Sequence, residues 1–326
     1  MMRFVAVMTA AVVCAPGSGW GKPALPQPVA CPNCWHPDLK TSWDWYLDKN
    51  LVPPYRDVDM YNVDFEYTSA ETIADLKRRP GRKVVCYISA GTWEAKRPDA
   101  AAYPERILGK TNEDWPDEFE RWVNVADVQD SDSALAVILR ARLDICKNKG
   151  FDGVEFDNVD VYQENAKGEP RAGTFKAVDG KDRAITSWDQ LYFNMWLANE
   201  AHKRGLSAGL KNDGHQIPQL VAYFDWALNE GCFEEPDRKS RRHHCLTKDN
   251  VKLEEGRFGY DMFTKRGKAV FGVTYPETGT DKAMDGAAFA QWAEQEKLRV
   301  CPMANAANFN WILKKTDLRG EWAKCR

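Results

Sequence analysis

The stretch Asp152-Gly153-Val154-Glu155-Phe156-Asp157-Asn158-Val159-Asp160 carries the densest chemistry in this chain. Val154 and Phe156 supply β-favouring apolar positions, so the segment reads as a short buried strand whose C-terminal end is crowded with carboxylates. Glu155, Asp157 and Asp160 repel one another and resist desolvation, so a fold keeps such a cluster chiefly where the charges are used. A second acid stands in a similar setting in Trp226-Ala227-Leu228-Asn229-Glu230-Gly231-Cys232-Phe233. Two carboxyls at two strand ends are the minimum equipment for breaking a glycosidic bond. One protonates the leaving oxygen, and the other stays ionised to attack the anomeric carbon or activate water. Asp157 and Glu230 form the candidate catalytic pair. Glu230 lies among Trp226, Leu228 and Phe233, where desolvation should raise its pKa, and is assigned the acid/base role; Asp157, flanked by Asn158 and a polar turn, is assigned the nucleophile. A lone strand-end carboxylate can equally cap a helix or pair with Lys211; the clustering of acids favours function.

Positioning these acids requires strands, and the pattern supplies them. Val58–Val63, Lys83–Ile88, Trp122–Val125, Gly153–Asp157, Ser207–Lys211, Phe224–Asn229, Ala269–Thr274 and Arg299–Met303 read as strands, with Trp43–Leu47 a further apolar run of uncertain status. Helical patterns over Ser69–Arg79, Ser131–Asn148, Trp188–Arg204 and Asp285–Lys297 alternate with them. Such alternation implies a parallel sheet, and eight units match an α/β fold of the (β/α)8 TIM-barrel type in a single domain. The rival open sheet would advertise a Gly-rich phosphate turn, and neither GxGxxG nor GxxxxGK[ST] occurs. Barrel active sites form at the C-terminal strand ends. That rule nominates Asp59, Tyr61, Tyr87, Ser89, Asn158, Asp160, Lys211, Asn212 and Tyr275 as substrate-binding residues, with Asp213 beside them. Glu155 is expected to bind substrate or brace Lys211. On this strand list Asp157 and Glu230 belong to strands four and six.

The chain has 326 residues, 44% of them hydrophobic, enough for a large core and against disorder. Thirteen Trp and eleven Tyr suit either core packing or aromatic platforms for sugar rings. A net charge of −3 offers no basic field for nucleic acid. The one basic run, Arg238-Lys239-Ser240-Arg241-Arg242-His243-His244, reads as a solvated loop tip. Residues 1–21, with Arg3 before the apolar stretch Phe4–Ala15 and small residues after it, read as a secretory signal too short to span a bilayer. Cys14 opens a lipid-anchor alternative, which Val13 disfavours. Residues 22–42 form a Pro-rich arm and 43–326 the catalytic domain. No further segment is apolar enough for a membrane, so the mature protein is expected to be an exported monomer without a membrane partner.

Nine cysteines, one of them in the signal, suit disulfides in an oxidising compartment. Cys232–Cys245 and Cys301–Cys325 are the pairs that local spacing favours. Cys31-Pro32-Asn33-Cys34 reads as a small disulfide or two unrelated thiols, and Cys86 as a buried thiol. No metal or cofactor is expected: the CxxC lacks a partner pair, and the acids do not follow a calcium-loop pattern. Ser-His-Asp chemistry is disfavoured because no GxSxG elbow occurs. Among the histidines, His36 falls in the arm, His202 on a helix where a surface or capping role is expected, and His215 near a strand mouth.

Ordered blocks of the sequence resemble glycoside hydrolase family 114, the endo-α-1,4-polygalactosaminidase family. They are Asp57-Val58-Asp59-Met60-Tyr61-Asn62-Val63-Asp64, the run from Lys83 to Glu94 with Arg97-Pro98-Asp99-Ala100, Gly153 to Asp160, Gly209-Leu210-Lys211-Asn212-Asp213, and Asn229-Glu230-Gly231-Cys232-Phe233. Together they span about Trp43 to Tyr275. The resemblance implies a secreted TIM-barrel enzyme that cuts α-1,4-linked galactosamine polymers of the galactosaminogalactan type, with its two catalytic carboxylates falling on Asp157 and Glu230. A cationic glycan would suit the acidic mouth. Gly231, where a polar residue is common, and the long stretch Ala166–Thr186 depart from the family pattern. Retention of anomeric configuration is the expected outcome. The alternatives are a non-catalytic polysaccharide-binding barrel and a glycosidase acting on a different glycan.

Overall fold

The computed structural model describes residues 22–113, 119–165, 167–176, 180–233, 245–247, 259–276 and 284–326. The signal segment and the basic run 238–244 lie outside the described residues. In chain order the strands are β1 (Trp43–Tyr46), β2 (Met60–Asp64), β3 (Lys83–Ser89), β4 (Thr92–Glu94), β5 (Leu108–Thr111), β6 (Glu120–Val123) and β7 (Gly153–Asp157). They continue as β8 (Phe175–Lys176), β9 (Asp182–Arg183), β10 (Ser207–Lys211), β11 (Trp226–Glu230), β12 (Val270–Thr274), β13 (Asn310–Lys314) and β14 (Trp322–Lys324).

The main sheet runs β1-β2-β3-β7-β10-β11-β12-β13-β14. Every neighbouring pair is parallel except β13 with β14. This sheet curls into the TIM barrel that strand–helix alternation implied. At the seam, side chains tie β1 to β13: Trp43 Nε1 donates to the Asn310 carbonyl at 2.9 Å, and Lys314 pairs with Asp44 at 2.7 Å, both buried.

Two apolar layers hold the barrel. Outside, long helices pack on the sheet: Ala134–Lys149, capped by Ser133 and closed by left-handed Gly150, and Ser187–Lys203, opened by a capping box between Thr186 and Asp189. Inside, side chains two apart along each strand point inward. Trp226 meets Phe271 edge-on at 5.6 Å, Phe271 meets Trp43 at 5.2 Å, and Trp43 lies 6.2 Å from Trp45. Gly209 makes room for this column, since a Cβ there would fall 2.2 Å from the Trp226 ring. The arm 22–42 lies against the barrel: Asn199 accepts from the Val29 amide at 2.8 Å, and Tyr223 donates to the Pro26 carbonyl at 2.6 Å. His202 is buried there between the Val29 carbonyl and Asp225, not at the surface as expected.

Three elements differ from their sequence reading. Trp43–Tyr46 is the first barrel strand, whereas the segment read as Trp122–Val125 is the centre of a separate antiparallel sheet, β4-β6-β5. Strand propensity does not tell the two settings apart. The two differences compensate, so Asp157 and Glu230 do stand on barrel strands four and six. Arg299–Met303 is helical, within Gly286–Ala306, because Phe289, Ala293, Val300 and Ala304 continue one buried face past Pro302. No described helix is long and apolar enough to cross a membrane.

The cysteines pair as Cys31–Cys34, Cys86–Cys146, Cys232–Cys245 and Cys301–Cys325. Cys86 is thus not a free buried thiol; it staples β3 to helix Ala134–Lys149, a partner 60 residues away that spacing could not reveal. Closing a loop of that size stabilises by about 4 kcal/mol in the chain-entropy description. Replacing both Cys86 and Cys146 by Ala should therefore lower the urea midpoint with activity retained in the folded fraction; an unchanged midpoint would refute the staple.

Candidate active site

The C-terminal ends of β7, β10 and β11 lie side by side, and each ends in a charged residue: Asp157, Lys211 and Glu230. Parallel pairing sets Lys211 next after the Leu210↔Phe156 pair, beside Asp157, and opposite Leu228, so Glu230 stands two residues further up β11 on the same face. Lys211, on the middle strand, bridges the two acids. Its Nζ is 2.8 Å from Asp157 Oδ1 and 2.8 Å from Glu230 Oε2. Those two oxygens are thus no farther apart than twice 2.8 Å. The Lys211 side chain is only 2% exposed, and its ammonium stands 5.0 Å above the Trp45 ring at the top of the aromatic column. Burial works against its charge, but Asp157, Glu230 and Glu155 more than offset this and hold it above the usual lysine range.

Asp157 is tightly held. Tyr87 donates its hydroxyl to Oδ2 at 2.8 Å, and the Asn158 amide donates to Oδ1 at 2.8 Å. Burial pushes this carboxyl up, yet Lys211 and these hydrogen bonds prevail and keep it below the usual aspartate range. Asn158 turns the chain in the left-handed region, with φ 58°, which asparagine tolerates better than most residues. Its Nδ2 donates to Ser89 Oγ at 2.8 Å. Gly91 lies directly against this turn: a Cβ there would sit 1.7 Å from the Asn158 carbonyl oxygen.

Glu230 is more open. Its side chain is 34% exposed, and Tyr275 donates to Oε1 at 2.7 Å. Asn212, also left-handed with φ 50°, accepts from the Glu230 amide at 3.2 Å and from Asn229 Nδ2 at 3.0 Å. The apolar surround expected for Glu230 is absent at its carboxylate, because Trp226 and Leu228 point into the barrel below it. The heavily desolvated acid is Glu155. It is fully buried two residues below Asp157, and its Oε2 accepts from Asn62 Nδ2. Burial pushes Glu155 up to about 8, with Lys211 pulling the other way and Asp157 adding to the rise.

Of the residues nominated from strand ends, Tyr87, Asn158, Lys211, Asn212 and Tyr275 converge with the two acids. Ser89 is buried behind them, its Oγ engaged with Asn158 and Thr92. Asp160 is nearby and mostly buried; burial raises its carboxyl, and Arg171 stands 3.6 Å away. Asp213 is raised well above the usual range by burial and accepts from Tyr162 and Asn194. Glu155 lies under the mouth, out of reach of a substrate. Asp59 and Tyr61 do not belong to it. Strand β2 begins at Met60, so Asp59 stands at the opposite, N-terminal end, bound by Ser42 and Arg79. Tyr61 is buried on the outer face against Arg56 and Arg82. The acid at the proper end of β2 is Asp64, which holds Arg97 through both carboxylate oxygens at 2.8 and 2.7 Å. Sequence reasoning also passed over Glu94 and Glu120, cross-strand partners in the antiparallel sheet. Burial raises Glu120 to about 7, and the charges of Glu94 and Asp157 add to the rise. Their only sequence signal was the position of Glu94 just past β3.

The sequence profile described as glycoside-hydrolase family GH114 matches residues 25–326. Among solved structures, the chain is similar to Ega3 of Aspergillus fumigatus in complex with galactosamine. The two share 31% identity over 92% of this chain and 100% of that chain, with a TM-score of 0.68. The glycoside hydrolase domain of PelA from Pseudomonas aeruginosa, in a variant form, shares the fold. It has 11% identity over 86% of this chain and 97% of that chain, with a TM-score of 0.58. No curated protein matches the chain.

Two substitutions test this geometry. Lys211→Met removes the cation that keeps Asp157 ionised, so the acidic limb of a pH–activity profile should move to higher pH and stability should fall by about 3–5 kcal/mol. An unmoved limb would show that Lys211 does not set the charge of Asp157. Gly91→Ala should push the Asn158 turn away and lower activity by about tenfold or more, since an error of an ångström in a reacting group is costly; wild-type kcat in that variant would show that the close approach is dispensable.

Proposed function

The chain belongs to glycoside-hydrolase family GH114, and from that premise we propose that it is an exported endo-acting hydrolase of α-1,4-linked galactosamine polymers, working through Asp157 and Glu230 with retention of configuration. The observation that carries the reading is the shared ammonium: Asp157 and Glu230 each lie 2.8 Å from Lys211 Nζ. A nearest-oxygen separation capped at twice that distance suits the roughly 5–5.5 Å carboxyl spacing of retaining enzymes better than the roughly 6.5–9.5 Å of inverting ones.

The roles follow from the surroundings. Asp157, kept ionised, attacks the anomeric carbon; the bond to the leaving oxygen breaks as Glu230 delivers its proton to that oxygen. Glu230 then takes a proton from water, whose oxygen displaces Asp157 from the glycosyl ester and restores both carboxyls. Glu230 is the more exposed of the two, as a group that trades protons with leaving group and water must be. Lys211, Tyr87 and the Asn158 amide fix the nucleophile, while Tyr275 and Asn212 fix the acid/base side.

The substrate class rests on charge and kinship. Asp157, Glu230 and Asp160, with Glu94 and Glu120 beside them, make a mouth suited to a polymer of protonated amines. Ega3, 31% identical, was crystallised with galactosamine. Export is supported by four disulfides and by the apolar run near Met1.

Asp157→Asn and Glu230→Gln should each reduce turnover of a defined α-1,4-galactosamine oligomer by about 10²–10⁴-fold or more without unfolding the protein. Product masses should reveal internal cleavage, and proton NMR of fresh products should show the α-anomer first. Near-normal turnover in either variant would remove that residue from the mechanism, and saturable binding without new reducing ends would favour a binding barrel instead.

A further inference from the structure

Asp157, Glu230 and Glu155 all face one ammonium, yet they are not treated alike. Lys211 bonds Asp157 and Glu230 directly. Glu155, on the same face of β7 and fully buried, accepts only the Asn62 amide among the described residues. The other oxygens of this pair, Glu155 Oε1 and Asn62 Oδ1, are both buried without a hydrogen-bond partner. An ionised carboxylate offers acceptors only, so it would leave both atoms unsatisfied, at a cost that buried polar groups rarely bear. A carboxylic acid has an O–H to give. Paired with a primary amide it can form two bonds at once: amide N–H to one carboxyl oxygen, carboxyl O–H to the amide oxygen.

We propose that Glu155 is a neutral carboxylic acid paired with Asn62, and that it serves as a positioning residue that leaves the Lys211 ammonium wholly to Asp157 and Glu230. The charged and titratable groups around it come from every neighbouring strand: Tyr87 of β3, Asp157 of β7, Lys211 of β10 and Glu230 of β11. Glu155 is fully buried and Asp157 mostly so, beside a single base. Two such carboxylates sharing one cation carry a net charge that burial penalises, so the proton resides on Glu155, which the cation does not bond; half-open Glu230 exchanges its own proton with solvent and substrate. The rise of Glu155 to about 8 by burial agrees. When Glu155 ionises in alkali it competes for Lys211 and pulls it from the two mouth acids. That kinetic consequence rests on the proposed hydrolase reading; the protonation itself does not.

Glu155→Gln tests the idea, since its amide supplies a permanent N–H donor in the same shape. An infrared difference spectrum of wild type against E155Q at mildly acidic pH should contain the carbonyl stretch of an un-ionised carboxylic acid. That band should vanish well above pH 8. The native-state value lies above that of the unfolded chain, so the contribution of Glu155 to stability is complete in acid and declines as pH rises to about 8. The melting temperature of the wild type should accordingly fall relative to that of E155Q over that range and level off beyond it. On an active substrate, E155Q should move the alkaline limb of the pH profile upward by about one unit. A carboxylate band alone at neutral pH, a pH-independent melting difference, or an E155Q chain that fails to fold would each overturn the proposal. The infrared and melting readouts need no substrate, so they stand or fall separately from the choice of galactosamine polymer.

Discussion

The structure around the mouth depends on one desolvated cation. Lys211, at the end of β10 with 2% of its side chain exposed, has exchanged water for Asp157 on one side and Glu230 on the other. A buried ammonium is costly unless paired and well placed, so this one dictates much around it. The floor beneath it is the ring of Trp45. Its two carboxylates come from the flanking strands, Asp157 beside it on β7 and Glu230 two residues beyond its β11 partner Leu228. In return the ammonium lets two acids approach closely without forcing both to take protons. Unpaired, two carboxylates at that separation would raise one another's pKa.

The turns that leave the strands fix the acids from the other side. After β7 and β10 the chain passes through left-handed Asn158, Asn212 and Asp213. These are residues whose short polar side chains tolerate that conformation and can bond locally. Asn158 ties the β7 turn to Ser89 on β3, and Asn212 ties the β10 turn to the backbone of Glu230 on β11. Each turn thus both ends a strand and locks the neighbouring strand's functional end. Gly91 belongs to the same device, since the β3 loop and the Asn158 carbonyl meet where no side chain fits. Rigid backbone contacts of this kind position catalytic groups more closely than flexible loops do.

Much of this was legible in the chain. Acid-tipped strands, alternation of strand and helix, and the blocks around Gly153–Asp160 and Asn229–Phe233 pointed to a barrel with Asp157 and Glu230 at its mouth. The errors have physical sources. Asp59 lies at the start of the strand in either reading, Val58–Val63 or Met60–Asp64, and Tyr61 falls short of its end, so the rule of C-terminal strand ends selects Asp64 instead. Trp122–Val125 has the composition of a barrel strand but pairs antiparallel in an outer sheet. The flanking residues of Glu230 suggested an apolar pocket, yet Trp226 and Leu228 share its inner face at lower levels of β11, deep in the barrel, and leave the carboxylate half open. The partner of Cys86 was hidden because it lies on a helix 60 residues later.

What the sequence determined by itself is local: which segments favour strand or helix, where caps fall, and which residues carry charge, aromatic faces or thiols. These follow from side-chain shape and periodicity, which act within a few residues. Only the tertiary structure decided that Lys211 stands between Asp157 and Glu230, that Glu155 is sealed beneath them with Asn62, and that Glu94 and Glu120 share their field. Those facts depend on which strands are neighbours and in what register. That is settled by the whole barrel closing around its aromatic core and burying one lysine among acids that lie far apart along the chain.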